Sequence, residues 1–459
     1  MAPSGYEYVM CKSPQSVQWS AFSGQIPFIF KTPNMKWCKP RECYMAVKPR
    51  IIYNDGTHQI PIKAIDNVGV PYLAKNPVSL LFSTGKCLIN DKLISNMNEL
   101  SATNTLFKTV FDTLAMQNTI ESTCPIYCQS VAEDRSTYAS KCQVMFDKVN
   151  EQTLNWSLPF PLFQSNEWIP PHTKVELDFQ VNQNWIYEIL SMYGKFPSGG
   201  VVPLVSGGNA VANSIGIGID DITLWLYYVT DVTPVNMVKE IHLKQFFSQV
   251  HTITSTNESF MLTLPNGGRN ITHLLACFLQ TKRGSAPTTL GSIKASSNDF
   301  SSGYAGVTGG ATGPGSSYES KITTDAVTNL NMIRFMAGNK NFPNPDYTLD
   351  LSMPATPAND TVYDAKDLSR AFYDFINNSN AKFDRSGNVL SIQNYMREPI
   401  FCFRVNEDPT SYSETLQVQI GLGTSYTAGS SQLLVVALYD ETLRLHYDSE
   451  KINLVELIS

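Results

Sequence analysis

Charge is scarce in this sequence. Only 16% of its 459 residues are Asp, Glu, Lys or Arg, against about 25% in an average soluble protein. Such an exterior is either rich in Ser, Thr, Asn and Gln or covered by neighbouring subunits. The net charge of −6 and a pI near 5.6 argue against nucleic acid as the main partner, because such proteins carry a basic excess or stripe. The one modest basic cluster, Lys36, Lys39, Arg41, Lys48 and Arg50, reads as scattered solvated charge, and Met1–Gln18 holds no basic arm. No direct sequence-specific nucleic acid binding is expected.

Long apolar runs are missing too. The run Leu433–Tyr439 falls far short of the ~20 residues that a membrane helix needs, so no membrane insertion is expected. Met1–Trp19 has neither a basic nor an apolar signal-peptide region. The five sequons, at Asn155, Asn257, Asn270, Asn359 and Asn377, matter only on a secretory route. The nine cysteines (11, 38, 43, 87, 124, 128, 142, 277 and 402) are odd in number and scattered. That reads as reduced and intracellular, not as a disulfide scaffold.

The marks of catalysis are equally absent. No two of His58, His172, His242, His251, His273 and His446 have zinc-ligand spacing, and Cys124 and Cys128 lack a second pair. There is no phosphate loop, no nucleophile elbow and no H-E-x-x-H. The Gly-rich run Ser301–Ser317 lacks the following Lys-Ser/Thr and helix. Asp220 and Asp221 are expected to end a turn before a strand. No catalytic residue, metal site or cofactor is expected, and an enzyme is not the reading.

What is present is period-two alternation, and it is told twice. Val175, Leu177, Phe179 and Val181 alternate with Glu176, Asp178, Gln180 and Asn182, as in a strand with one face in a core. Leu416, Val418 and Ile420 do the same with Gln417 and Gln419. One telling runs from about Val17 to Thr230 and the other from Phe246 onward. In each, a polar–apolar segment (Val17–Phe30, Phe246–Leu264) leads to a β-rich run (Cys43–Tyr53, Ile271–Gln280) and a strand–turn–strand stretch (Leu80–Ile94, Leu330–Leu351). A single amphipathic helix follows (Thr105–Met116, Asp367–Asn377), then a Phe/Pro-rich stretch (Leu158–Phe163, Pro399–Phe403) and an alternating strand. Each telling closes on Thr-Leu-x-Leu-x-Tyr, Thr223–Tyr228 and Thr442–Tyr447.

The helical stripes are Leu106, Val110, Phe111 and Leu114, with Phe107 at the edge, and Leu368, Ala371, Phe372, Phe375 and Ile376. Each is expected to pack on its own sandwich, and Asp364 or Asp367 to cap the second helix. The segment Thr230–Gln245 reads as a linker without flexible spacer, so the halves should pack rigidly. Leu433–Leu438 does not alternate and reads as a strand buried on both faces, against the sister sandwich or a neighbouring subunit. The expected organisation is an all-β chain of two tandem β-sandwiches with long loops: residues 1–235, including an N-terminal arm, and 236–459, including the Gly/Ser-rich loop 284–320. Such a chain points to a building block rather than a catalyst.

The residues so assembled resemble a viral family. Phe28–Pro33, Cys87–Lys92 (CLINDK), Asn98–Leu114, Trp168–Val181 (WIPPHTKVELDFQV) and Ile217–Val229 carry the likeness in the first half. Asn270–Arg283, Gly338–Asp350 and Asn394–Arg404 (NYMREPIFCFR) carry it in the second. They are similar to the double jelly-roll, hexon-like major capsid proteins of eukaryotic double-stranded DNA viruses and virus-like elements of the polinton, adintovirus and adomavirus kind. The loop 284–320 has no match there.

The resemblance implies two eight-stranded jelly rolls per chain and a homotrimer whose six sandwiches make a pseudo-hexagonal tile of an icosahedral shell. It implies partners that are other trimers and minor capsid or vertex proteins, and a chain made in the host cytosol, assembled in the nucleus and resident in the virion around a DNA genome. Candidate contributors to the assembly interface are Trp185, Tyr187, Trp225, Tyr227, Leu433, Leu434, Val435 and Val436, each with core packing as its alternative. Rival readings are a minor vertex protein, a receptor- or glycan-binding sandwich of a virion, and a cupin- or glycosidase-type enzyme. The loop 284–320 is expected to be an exposed tower or a trimer-locking arm. Limited proteolysis of assembled particles separates the two: early cutting marks a tower, and protection while other loops are cut marks a lock.

Overall fold

A computed structural model describes residues 5–13, 23–54, 59–61, 69–73, 76–111, 153–188, 190–194, 204–206, 214–231, 237–262, 271–280, 330–337, 340–349, 367–379, 395, 399–405, 416–423, 426, 428–429, 431–447 and 452–458. The first half is built on β1 (Gly5–Lys12), β2 (Gln25–Lys31), β3 (Tyr44–Asn54), β4 (Phe82–Ile89), β5 (Lys92–Met97), β6 (Leu154–Ser157), β7 (Lys174–Val181) and β8 (Ser214–Thr230). The second is built on β9 (Met237–Thr252), β10 (Asn257–Leu262), β11 (Ile271–Gln280), β12 (Leu330–Ala337), β13 (Lys340–Phe342), β14 (Ile400–Arg404), β15 (Leu416–Leu422) and β16 (Ser431–Tyr447).

The first half makes one sheet in the order β1-β8-β3-β6 and another in the order β2-β7-β4-β5. The second makes β9-β16-β11-β14 and β10-β15-β12-β13. Adding eight to each label of the first half gives the second, so both halves have one topology, that of a jelly roll. Among the described residues, every sheet keeps to one half. Smaller strands decorate this plan: Lys36–Cys38 and Leu204–Ser206 on β8, Gln59–Pro61 on β3, Ile452–Ile458 on β16, and a separate pair, Gly69–Leu73 with Leu190–Gly194.

Local chemistry explains the elements. The alternation of β7 gives the burial pattern expected of it: Val175, Leu177, Phe179 and Val181 are buried while Glu176 and Asp178 are half-buried. Phe179 gathers the first core, with ring centroids 4.8 Å from Phe82, 5.5 Å from Phe160 and 6.2 Å from Trp156. The β4–β5 hairpin turns on Asn90 and Asp91, at φ 46° and 66°. Asn and Asp tolerate this left-handed region, and a tight two-residue hairpin requires it at both positions. Asn90 Oδ1 also accepts the backbone N–H of Lys174, 2.9 Å away, which ties the turn to β7.

Several expectations need correction. The expected linker Thr230–Gln245 is largely strand, because β9 begins at Met237 and buries Ile241, Leu243 and Gln245. Asp220 and Asp221 do not end a turn. They lie inside β8, where the register with β3 shifts and Asp220 is the extra residue of a bulge. The first helix, α1, spans Leu100–Phe111 and starts five residues before the expected Thr105. It is buried almost all round, including Thr103, Asn104, Thr105 and Lys108. Asn104 Oδ1 accepts Trp156 Nε1–H at 3.1 Å and Asn76 Nδ2–H at 2.7 Å, whereas the buried Thr103 hydroxyl has no hydrogen-bond partner among the described residues. The second helix, α2 (Leu368–Asn378), is preceded by Asp367, whose side chain does not cap it. Instead Asp367 Oδ2 accepts the backbone N–H of Thr348 at 2.7 Å. The loop 284–320 lies outside the described residues.

The halves meet along one junction. Phe107 of α1 meets Phe246 edge-on at 5.0 Å, and Phe111 meets His273 at 6.0 Å. Gln245 Nε2–H donates to Ile94 O at 2.8 Å, Lys92 Nζ donates to Val455 O at 2.8 Å, and Lys239 pairs with Glu167 at 2.5 Å. The buried apolar residues of the two halves are contiguous through this seam. α1 therefore serves its own sandwich and the sister sandwich at once, where the sequence expectation gave it only the first.

Two outcomes follow from this packing. A Cβ on Gly85 would stand 2.6 Å from Leu100 Cδ1 and 3.0 Å from the Phe160 ring, so Gly85→Ala is expected to cost about 1–3 kcal/mol by overpacking, read from a urea melt. His273 is held down to about 4 by burial, then by Lys244 and Arg404, against its ordinary 6.5. Below about 6.5 the unfolded chain takes up a proton that the folded one refuses, so this residue makes stability fall as pH drops toward about 4. His273→Gln is expected to flatten that part of the pH–stability curve, measured by denaturant melts across the window.

Candidate assembly surface

Residues opposite one another in an antiparallel ladder share a face. Met10 stands opposite Trp225, and Trp225 opposite Tyr44; Tyr8 stands opposite Tyr227. This is the outward face of the first sandwich, because the intervening Leu224, Leu226 and Met45 point into the core at 0–1% exposure. The rings touch. Tyr6 stacks on Tyr227 at 5.9 Å, Tyr8 meets Tyr227 edge-on at 4.9 Å, and Tyr44 stacks on Trp225 at 6.4 Å. Tyr6, Tyr8 and Met10 remain 76%, 46% and 50% exposed. Burial, more than the nearby Glu42, raises the Tyr8 hydroxyl above its ordinary range, and burial raises Tyr44. These two hydroxyls are therefore neutral at physiological pH.

Charges beside it are paired. Lys36 binds Glu7, Lys39 binds Glu42 at 3.0 Å, and Arg41 donates to Asn166 Oδ1 at 2.5 Å. Beneath the face, the buried Cys38 and Cys43 thiols lie 3.8 Å apart, unbridged.

The second half supplies an internal comparison. The Thr-Leu-x-Leu-x-Tyr segments take the same place in β8 and β16, with Leu224 and Leu443, Leu226 and Leu445, and Tyr228 and Tyr447 all buried. At the outward positions the halves differ. Where the first has Trp225 opposite Met10, the second has Arg444 opposite Glu240, ion-paired at 2.6 Å. Where the first has Tyr227, the second has His446, 3.4 Å from Glu456. One fold position carries solvent-compatible charge in one copy and an aromatic sheet in the other. Large exposed apolar patches mark interaction surfaces.

The structure distributes the sequence candidates unevenly. Trp225 and Tyr227 sit together on this face, half-buried. Trp185 is 3% exposed within the helical turn Trp185–Glu188, and the Tyr187 side chain lies outside the described residues. Leu433, Leu434, Val435 and Val436 are at most 1% exposed. They are corrected here from contact surface to interior, because the chain itself covers both sides of that strand. Tyr6, Tyr8, Met10 and Tyr44 were missed, although the alternating Tyr6-Glu7-Tyr8-Val9-Met10 carries the signal. Among the described residues, no group of three His, Cys, Asp or Glu could hold a metal ion.

No protein-family model matches this sequence, and no curated protein does. Solved structures match along nearly its whole length. A chain of the Sputnik virophage cryo-EM structure aligns with a TM-score of 0.58 at 12% identity, over 99% of this chain and 89% of that one. A chain of the PBCV-1 virus capsid aligns at 0.50 and 9% identity, over 98% and 97%. PBCV-1 VP54, fitted into a reconstruction of Sputnik, aligns at 0.50 and 11% identity, over 99% and 96%. The chain is a double jelly roll. The fold expected from the sequence resemblance is thus the fold observed, in strand order and in full-length likeness.

The double variant Tyr8→Ser/Trp225→Ser is expected to melt within a few degrees of the parent, since both side chains are at least partly exposed. Its self-association should weaken at least tenfold by sedimentation; unchanged association would remove this face from assembly.

Proposed function

We propose that this double jelly roll is a major capsid protein. The observation that carries the reading is its end-to-end likeness to a chain of the PBCV-1 virus capsid, together with two sandwiches of one topology in a single chain. On this reading residues 1–235 and 236–459 are the two jelly-roll domains. Three chains form a trimer whose six sandwiches approximate a hexagon. Such trimers tile an icosahedral shell around a DNA genome, and minor capsid or vertex proteins complete it. The chain acts by assembly and catalyses nothing. It resides in the virion after synthesis in the host cytosol and assembly in the nucleus.

Physical features support the reading. A closed trimer uses heterologous contacts, one surface of a subunit meeting a different surface of the next. Such interfaces are apolar at the centre, as the Tyr6–Tyr8–Trp225–Tyr227 face is. The low charge content of 16% suits a surface that neighbours cover. The acidic balance supports a reading in which another protein condenses the genome.

Light scattering after size exclusion is the test. The expected species has three times the 51.0 kDa chain mass, and negative-stain images should show hexagonal tiles or shells. A protein that stays monomeric at every concentration would defeat the proposal.

A further inference from the structure

The helices of the two halves occupy different surroundings. α1 is buried almost all round, with Phe107 and Phe111 against the second half. α2 buries Leu368, Ala371 and Phe375 and leaves a half-buried stripe of Arg370, Asp374 and Asn378, which one-turn spacing places on one face. That stripe lines a cleft of about 270 Å³. Phe342, Pro343 and Pro345, at the end of β13 and just after it, form an apolar part of the lining, and Arg404 at the end of β14 completes it. The cleft is open to solvent rather than enclosed.

Its polar groups are held in place and keep bonding capacity. Arg370 lies over the Tyr347 ring, 4.9 Å from its centroid, and donates to Pro345 O and to Asp346 O. A guanidinium has five N–H groups, so donors remain. The Tyr347 hydroxyl donates to Asp374 Oδ2 at 2.6 Å, and Asp374 Oδ1 accepts no hydrogen bond among the described residues. Asn378 Nδ2–H donates to Cys402 O at 3.0 Å, which turns its amide and leaves Oδ1 as an acceptor. The exposed Arg404 side chain makes no hydrogen bond or ion pair among the described residues.

This chemistry selects a ligand. Two Arg stand against one Asp in the lining, so the cleft favours a group with one negative charge, and the Asp carboxylate repels a multiply charged one. Acceptors at Asp374 and Asn378 call for hydroxyl donors. The apolar lining calls for a carbon face. The volume falls just below the roughly 300–1,000 Å³ of sites for drug-sized ligands, which suits a single ring.

We propose that this cleft binds the terminal sugar of a glycan chain, where that sugar carries a carboxylate. Arg404 and Arg370 take the carboxylate, for which a guanidinium fork is the matching donor. Asp374 Oδ1 and Asn378 Oδ1 accept ring hydroxyls, the carbon face of the ring lies on Phe342 and Pro343, and the chain leaves through the open side. The inference goes beyond the capsid reading and is independent of it, since all the lining residues belong to one chain.

Saturation-transfer NMR on the full-length protein tests this. Methyl β-glucuronide is expected to bind saturably with a Kd of about 1 mM, the affinity of a few polar contacts in an open site. Methyl β-glucoside, with a hydroxymethyl group in place of the carboxylate, should bind at least about tenfold more weakly. A hyaluronan tetrasaccharide, whose chain ends in the same acid, should bind at least as well as the methyl glucuronide. Arg404→Gln is expected to weaken the acid at least about tenfold and to melt with the parent, because its side chain is exposed and unpaired. Lys12→Gln, an exposed cation on β1, should change nothing. Absence of saturable binding up to about ten times the expected Kd, equal binding of the acid and neutral glycosides, or unchanged binding in Arg404→Gln would overturn the site. An equal loss in Lys12→Gln would do the same, and exclusion of the tetrasaccharide would overturn the glycan end as its ligand.

Discussion

The ladder between β9 and β16 is the constraint on which the rest depends. It pairs all 16 residues of β9, from Met237 against Tyr447 to Thr252 against Gln432. The strands of the facing sheet are shorter: β10 has six residues and β15 has seven. A pair this long serves two purposes. Its far end, Ser431–Tyr439, borders β11 and closes the second sandwich. Its near end, Thr442–Tyr447, borders Ile452–Ile458 and rests on the first half. The backbone ladder makes these one rigid object, so the position of the second sandwich is fixed by hydrogen bonds as well as by side-chain packing.

That double duty is written in the burial of β16. From Leu433 to Tyr439 every residue is buried; from Glu441 onward burial alternates. The change comes where the strand leaves a two-sided environment for a one-sided one. On the two-sided stretch, Leu438 lies between Phe246 and His273 in the sheet, and those two residues carry Phe107 and Phe111 of α1. Continuous Leu-Leu-Val-Val-Ala-Leu followed by Thr-Leu-Arg-Leu-His-Tyr is the same switch in sequence. This is why the run was legible as buried on both faces and illegible as to what covered it. Periodicity reports how many faces are dry, not which neighbour dries them.

The same limit accounts for the other gains and losses. The duplication was legible because each half must solve one packing problem, and the Thr-Leu-x-Leu-x-Tyr segments keep Leu224, Leu226, Leu443 and Leu445 in equivalent core places. In sequence β9 reads as a linker because Lys239, Glu240, His242 and Lys244 dilute its alternation. One of its apolar residues, Phe246, meets Phe107 of the other half. The Asp220 bulge was hidden because an inserted residue shifts the period without announcing a break. Trp225 and Tyr227 stand among the sequence candidates. Their partners on β1 do not, although Tyr6, Tyr8 and Met10 recur at every second residue, because the apolar Val9 and Cys11 between them blur the contrast between an inner and an outer set.

Divergence between the two copies then becomes the most direct evidence for what the molecule meets. Core positions agree because each sandwich packs against itself. Outward positions are free to follow their surroundings. The second half places Arg444 with Glu240 and His446 with Glu456 there, groups that water tolerates. The first places Tyr227, Trp225, Tyr8 and Met10 at matching sites. Leaving such side chains half-exposed sacrifices part of the roughly 1.5–3 kcal/mol that full burial of a large apolar side chain contributes. A monomer would gain from the charged solution its own second half already uses. Retaining the aromatic one on β1, seven of whose eight residues are exposed, is intelligible under the proposed assembly, which would cover that strand.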